Sequence, residues 1–499
     1  MFDSRAYFYG MLPENERDKI VYIPTLCGLL EQAKREYADF PAVNDYESEL
    51  TYAGLYEQVG RLRGFLKAQG FKKGMKAGLF FRNDAMFIKL FLAVTTLGGV
   101  VIPFPSQMAK EPLWGSLKKF DVSFLFYADE FSALCADAPV NAVAAGSIVP
   151  GEFEPSAETE PGDDCAIFFT GGTTGRPKGA LLTHGAVMRG AYNGCFINVS
   201  VINQRYYALI PFSHVFGVVR NLLTCLYTGS VMYTCTDMRK LFADLAVARP
   251  SIMVLVPALA DMLLGVVSMK GIGALGGNLN TIIAGGAPVP ASLIKRWHEL
   301  GVQMLPGYGL TETANLVSGN GDAMEYPDSV GYPYEKEELK IKDGELLIKG
   351  ENLFKCYYND PEETAAAFDE DGWFKTGDLA RIDETGRLYI VGRSKNIIIL
   401  QNGENVSPEE LELLLYRIPI IKDCLVKEYT NENGIVMIAA EVFPNMPAIQ
   451  KMGIADARSA VEEAVEKVNE TLPTYMRMTK VIVRDTDFER TPAMKIVRK

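Results

Sequence analysis

Residues 76–104 read KAGLFFRNDAMFIKLFLAVTTLGGVVIPF and carry three patterns in succession. Positions 76–81 form a short apolar run of strand length, 85–98 place apolar residues at helical spacing, and 100–104 are again a short apolar run. Two strands joined through a helix lie parallel, because a tight hairpin cannot make that connection. The same alternation returns with SIMVLVP (251–257), ALADMLLGVVSM (258–269), TIIAGGAP (281–288) and ASLIKRWHEL (291–300). The expected fold class is α/β, a large N-terminal domain of parallel sheets whose glycine-rich strand ends offer ligand sites.

After residue 330 the texture changes. LKIKDGELLIKG turns at Asp343 and Gly344, and LARIDETGRLYIVG near Thr385 and Gly386, which predicts a small β-rich section over about 330–394. From about residue 396 a compact α/β unit is expected. NVSPEELELLLYRI reads as a helix capped by Ser407, with Pro408 at its first position and Glu410 closing a capping box. CLVKEYTNENGIVMIAAEVF reads as a hairpin, DARSAVEEAVEKVNETL as a helix and TKVIVRD as a strand. The division is thus 1–394 and 396–499, joined by a short hinge.

Length and charge narrow the partners. A chain of 499 residues is too long for one ordinary core, and 48% hydrophobic with 22% charged residues is the composition of a soluble globular protein. The formal net charge of −12, without any long Lys/Arg block, argues against nucleic acid or an anionic membrane as partner. Small molecules are expected instead. The longest apolar stretch is interrupted by Lys89, Thr95, Thr96 and Gly98, so no membrane span is predicted. No basic segment followed by an apolar one opens the chain, and a cytoplasmic location is expected. Eight cysteines stand singly, without metal-site or redox spacing.

The stretch IFFTGGTTGRPKGALLTH (167–184) leads an apolar strand into a loop of glycine, threonine and lysine. Small residues let backbone N–H groups approach phosphate oxygens, and hydroxyls and a lysine add donors. It is no P-loop of the usual kind, because Lys178 stands between Pro177 and Gly179. The plainer reading, a flexible surface turn, stays open on this stretch alone.

Six further motifs follow in order: PFSHVFG (211–217), IIAGGAP (282–288), GYGLTET (307–313), FKTGDLARI (374–382), YIVGRSKNIIILQNGENVSPEELE (389–412) and RTPAMKIVRK (490–499). With the loop, they resemble the adenylate-forming superfamily of acyl-CoA synthetases, peptide-synthetase adenylation domains and beetle luciferases, from about residue 50 onward. The resemblance implies ATP-dependent activation of a carboxylic acid to an acyl-adenylate, then transfer to CoA, with ATP, Mg²⁺ and CoA as cofactors. It is nearest to the AMP-forming acyl-CoA synthetases.

What the resemblance implies for residues is as follows. Thr170, Thr173, Thr174 and Lys178 donate to the β- and γ-phosphates, while Gly171, Gly172 and Gly175 give clearance. In GYGLTET, Tyr308 stacks on adenine beside Gly309, Thr311 donates to phosphates and Glu312 holds Mg²⁺. The backbone of Gly285, Gly286, Ala287 and Pro288 approaches the adenine and the acyl group. Asp378 accepts from the ribose hydroxyls and Arg393 helps hold the ribose. Lys395 is the hinge, Gly403 leaves room for a pantetheine arm, and Lys495 bridges the acyl carboxylate and the α-phosphate. His214 gates an apolar acyl pocket.

Several of these roles have a plainer alternative. Glu312 could be a helix-start carboxylate, the 285–288 segment an ordinary turn, Asp378 and Arg393 a structural ion pair, His214 a core histidine and Lys495 a solvated tail charge. His184 and His298 have no motif support. The chain departs from the family at Met494 and Cys356, where glycine is usual. The absence of an aspartate in LIPFSHVFGVV (209–219) disfavours α-amino acids, whose ammonium would be buried unpaired. An aromatic or aliphatic acid remains. CoA and a carrier protein end in the same arm, so either could be the acceptor, and a nucleotide-binding protein without catalysis is a third alternative.

Overall fold

The computed structural model describes residues 3–170, 178–401, 404–432, 434–490 and 496–498. The predicted βαβ unit is present as the strand Lys76–Phe80, the helix Ala85–Thr96 and the strand Val100–Phe104. Asp84 starts the helix by accepting a hydrogen bond from the Phe87 N–H (2.7 Å), and Lys76–Phe80 pairs in parallel with Val100–Phe104.

That unit is the centre of a seven-stranded sheet. Its spatial order is Cys356–Tyr357, Lys178–Thr183, Asp164–Thr170, Val100–Phe104, Lys76–Phe80, Val122–Tyr127 and Asn141–Ala144. The first two are antiparallel to their neighbours and the rest are parallel. The glycine- and threonine-rich stretch therefore does not lead directly into a helix, as a P-loop does. Its flanking strands, Asp164–Thr170 and Lys178–Thr183, return on one another as an antiparallel pair.

A second sheet of nine strands contains the other predicted alternation. Gln303–Tyr308, Thr281–Ala284, Ile252–Leu255, Arg205–Tyr207 and Val231–Tyr233 lie side by side and parallel. Their C-terminal ends point one way, so the segments that follow them form a continuous edge.

The β-rich section is a four-stranded antiparallel sheet formed by Glu337–Lys342, Glu345–Gly350, Phe374–Ile382 and Leu388–Arg393. Asp343 (φ 51°) and Gly344 (φ 81°) make the predicted turn in the left-handed conformation that a two-residue hairpin needs. In the C-terminal part, Ile421–Thr430 and Val436–Pro444 form the expected hairpin and Met478–Val483 joins it in parallel. The core there is a separate cluster running from Ile398 to Val483.

One expectation fails. Pro408 does open the helix Pro408–Leu415, but Ser407 makes no side-chain cap. Its hydroxyl donates instead to the Val391 carbonyl (2.7 Å), and a Cβ on Gly392 would sit 2.0 Å from the Ser407 Oγ. The start of this helix is docked on the preceding strand, and that contact outcompetes the capping box. The eight cysteines are all free, and among the described residues no helix is long and apolar enough to cross a membrane.

His184 opens the helix His184–Asn193 and is fully buried. Its Nδ1 accepts from the Leu26 N–H (3.3 Å), and burial lowers its pKa from 6.5 to about 4. The unfolded chain takes up this proton near pH 6.5 and the folded chain only near 4. Stability tied to the neutral ring is therefore complete above 6.5 and lost as pH falls through 4, by about 3 kcal/mol in all. Urea unfolding at pH 7 and pH 4 should show that loss, and His184→Gln should show less of it; equal slopes in the two proteins would contradict the assignment.

Candidate active site

The segments that leave the parallel strands meet at the edge. Pro211–His214 follows Arg205–Tyr207, Gly285–Pro288 follows Thr281–Ala284, and Tyr308–Thr313 ends and follows Gln303–Tyr308. Gly286 holds φ 79°, which glycine adopts without a steric penalty. A Cβ at Gly309 would lie 1.4 Å from the Asn315 carbonyl oxygen, so only glycine lets the loop fold back there. Ala287 and Pro288 continue that turn toward the helix Ala291–Glu299.

Glu312 lies half-buried in the short turn Thr311–Thr313, with Thr311 beside it on the partly exposed side. Tyr357 Oη donates to Glu312 Oε1 (2.7 Å). Burial raises the Glu312 pKa, while the Tyr357 hydrogen bond and the charges of Arg393 and Lys178 act to lower it. The Lys178 ammonium stands 5.0 Å from the centre of the Tyr357 ring and pairs with Glu363 (2.5 Å). Lys178, Tyr357 and Glu312 thus form one contiguous set, although they come from three distant stretches.

Asp378 and Arg393 face each other across neighbouring strands, and Arg393 Nε meets Asp378 Oδ1 at 2.5 Å. The ion pair held open by the sequence is therefore present. Asp378 is 2% exposed, and its Oδ2 accepts from Tyr308 Oη (2.6 Å). The tyrosine expected against adenine is in this way tied by its hydroxyl to the residue expected at the ribose.

His214 is partly exposed and its Nδ1 accepts from the Phe216 N–H (3.2 Å), which places the ring proton on Nε2. It precedes a π-helix, Phe216–Leu223, where a Cβ at Gly217 would lie 2.2 Å from the Pro211 carbonyl oxygen. This wide helix brings the Phe216 ring within 3.5 Å of the place a Cβ would take on Gly285. His298 is exposed on its helix, as expected, and His184 lies in the core.

Thr170 ends its strand beside Lys178, with which it pairs. Gly171, Gly172, Thr173, Thr174, Gly175, Gly403, Met494 and Lys495 lie outside the described residues. The flanks of Lys495 are tied down: Arg490 and Ile496 form a β-bridge, and Arg498 reaches Glu412 (2.6 Å) and Glu409 (3.2 Å). Lys395 is exposed between Arg393 and the helix Pro408–Leu415. Partial desolvation and the neighbouring Arg393 charge lower its pKa.

Sequence reasoning missed Tyr357, Glu363 and the π-helix. The first two had a signal. NDPEE (359–363) is a helix start, and Asp360 caps the helix Pro361–Ala367 by accepting from the Glu363 N–H (3.3 Å). Cys356, where glycine is usual, takes part in ordinary strand pairing opposite Leu181, with no positive φ.

The AMP-binding enzyme family matches residues 30–358, and the AMP-binding enzyme C-terminal domain matches residues 395–499. The chain belongs to the AMP-binding enzyme family. Its relatives include the indoleacetate–CoA ligase of Aromatoleum aromaticum, 30% identical over 438 residues that cover 81% of this chain and 85% of that one. The feruloyl-CoA synthase of Amycolatopsis sp is 29% identical over 409 residues, 77% of this chain and 82% of that one. Among solved structures, the anthranilate CoA ligase AuaEII in complex with anthranoyl-AMP has the same fold, with a TM-score of 0.84 at 21% identity over 98% of this chain and 97% of that one. This AMP-binding enzyme is therefore related to acyl- and aryl-CoA ligases.

Removing the Tyr357 hydroxyl deletes the hydrogen bond that lowers the Glu312 pKa. Tyr357→Phe should move the acid limb of the pH–rate profile to higher pH and reduce kcat/KM at neutral pH by about tenfold. An acid limb that stays in place would separate the two residues functionally.

Proposed function

We propose that this AMP-binding enzyme is an AMP-forming acid–CoA ligase. A carboxylate attacks the α-phosphorus of ATP, pyrophosphate leaves, and the acyl group becomes a mixed anhydride with AMP. The CoA thiol then attacks the acyl carbon, loses its proton and expels AMP. The first step joins an anion to a polyanion, so the protein mainly positions the reactants and neutralises charge. The carrying observation is the set of Lys178, Tyr357 and Glu312 beside Tyr308 and Asp378, gathered where the parallel strand Gln303–Tyr308 ends.

In this reading the threonines and Lys178 of the 170–178 stretch grip the pyrophosphate end of ATP. Thr311 donates to the phosphates, and the 285–288 backbone borders the adenine and the acyl group. Tyr308 backs the adenine, and Asp378 exchanges part of its pairing with Arg393 and Tyr308 for the ribose hydroxyls. Glu312 would hold Mg²⁺. A lone carboxylate suits that ion, which takes most of its ligands from phosphates and water, and no cluster of three acidic, histidine or cysteine ligands occurs among the described residues. When bound, the ion would offset the charge of the phosphates.

His214 and Phe216 form the gate of the acyl pocket. The two parts, 1–394 and 396–499, turn about Lys395 between the two steps, bringing Lys495 to the first and Gly403 to the second. Two polar contacts between the parts would be exchanged in that turn: Ser407 with Val391 and Arg417 with Asp328 (2.6 Å).

Two measurements test this. Lys495→Ala should lower acid-dependent pyrophosphate exchange by a few hundredfold, the scale of one lost electrostatic donor. It should leave thioester formation from supplied acyl-adenylate within several-fold of the parent, and parallel loss of both steps would remove Lys495 from the first. CoA should discharge the adenylate; discharge only by a phosphopantetheinylated carrier protein would replace CoA as the acceptor.

A further inference from the structure

Arg220 lies within the π-helix, four residues after Phe216. Its side chain is 1% exposed, and its Nη1 has no hydrogen-bond partner among the described residues. Of the other buried arginines, Arg189 pairs with Glu351 and Arg387 with Asp322, while Arg63 donates to the Glu154 carbonyl and the Thr96 hydroxyl and borders no cavity described. The titratable groups nearest Arg220 are Tyr206, Tyr334 and Cys195, and burial keeps all three uncharged, the last two with pKa values pushed up to about 12. A guanidinium cannot shed its proton, and a buried one without an anion is strongly destabilising.

The position of Arg220 indicates what that anion is. In a helix bonded i to i+5, residues 216 and 220 share a face. Phe216 meets Gly285, whose Cβ position is 3.3 Å from the Gly307 carbonyl oxygen. Ile283 and Leu305 lie two residues earlier on the same strands, hence on the same side and about 7 Å deeper. Together with Phe8, Tyr334 and Gly307 they line a narrow cavity of about 20 Å³ that Arg220 borders. That is room for a water or two, or for one carboxylate group. The cavity thus lies directly below the proposed acyl gate. Phe8 precedes residue 30, where the family match begins, so part of this floor belongs to the chain's own N-terminal helix.

We infer that Arg220 anchors a second carboxylate at the far end of the acid, so that the enzyme prefers dicarboxylic acids. One carboxylate is activated at the strand ends while the other pairs with Arg220 below Phe216. The inference rests on the ligase reading and deepens it.

The test compares matched pairs, straight-chain monoacids against α,ω-diacids of equal length and benzoic acids against their carboxyl-substituted counterparts, in ATP- and CoA-dependent AMP release. At least one diacid should exceed its partner by on the order of 100-fold in kcat/KM, since a site built for a polar group rejects analogues lacking it. Arg220→Met should reverse that preference, with the loss for diacids mainly in KM, and should keep or raise Tm; Arg220→Lys should recover part of the diacid activity. Monoacids favoured throughout, or equal loss for both classes in Arg220→Met, would overturn the anchor while leaving the ligase reading intact. Should Arg220→Met not fold, the parent enzyme decides: acyl-sulfamoyl-adenosine analogues of the diacid must raise its Tm more than those of the monoacid, and equal shifts overturn the anchor. If no acid of either class drives pyrophosphate exchange, the ligase reading fails and the anchor fails with it.

Discussion

A short run of backbone, Phe354–Tyr358, holds the site together. The Phe354 N–H donates to the Glu312 carbonyl (2.7 Å), the Lys355 N–H to the Leu181 carbonyl (2.8 Å) and the Tyr358 N–H to the Gly179 carbonyl (2.8 Å). Buried backbone groups have to be satisfied, so these bonds constrain position as strictly as a covalent link would constrain length. One side of the run is attached to the turn that carries Glu312, the other to the strand that begins at Lys178. Tyr357, in the middle, contacts both side chains because the backbone on either side of it is already committed. Two sheets that otherwise fold as separate layers are thereby registered to within a hydrogen-bond length at the point where the chemistry is proposed.

The parts of the fold legible in the sequence were those fixed by local rules. The βαβ unit around residues 76–104 follows from period and length, and the turn at Asp343 and Gly344 follows from a backbone conformation few residues accept. Ser407 shows where local rules stop. Its sequence context fits a cap, but Val391 competes for the same hydroxyl, and that carbonyl is sixteen positions away in the chain. The π-helix was equally hidden: nothing in FGVVRNLL distinguishes five-residue from four-residue hydrogen bonding. The close approach of Gly217 to Pro211, which accompanies the wider turn, is a tertiary fact.

The candidate site was legible in another way. Motif order named Glu312, Tyr308, Asp378, Arg393 and Lys178, and the structure brings the first four and Lys178 into linked contacts through Tyr357 and through the Asp378 pair. Tyr357 escaped because the visible departure from the family pattern is at the residue before it. A cysteine in place of glycine at 356 is a visible departure, yet it is harmless, since that position is plain strand and its side chain packs at the edge of the cluster around Phe120. The neighbour that looked unremarkable carries the interaction.

Charge explains why these contacts matter to a chain with a net charge of −12 that is proposed to receive ATP and an organic acid. The cations of the nucleotide side are already matched: Lys178 by Glu363 and Arg393 by Asp378. Such pairs make the unliganded site nearly neutral, and an incoming polyanion must compete with a carboxylate for each cation, which favours ligands that also bring hydroxyl donors or a metal ion of their own. Arg220 follows the opposite rule. It is deeper than either cation, the groups nearest it are neutral, Tyr206 among them as a hydrogen-bond partner, and its Nη1 has no partner among the described residues. In the inference drawn above, a carboxylate of the substrate supplies the charge that pairs with it. On the proposed reading, the paired cations at the mouth serve phosphate binding common to the family's nucleotide, and the arginine at the floor serves selection among acids.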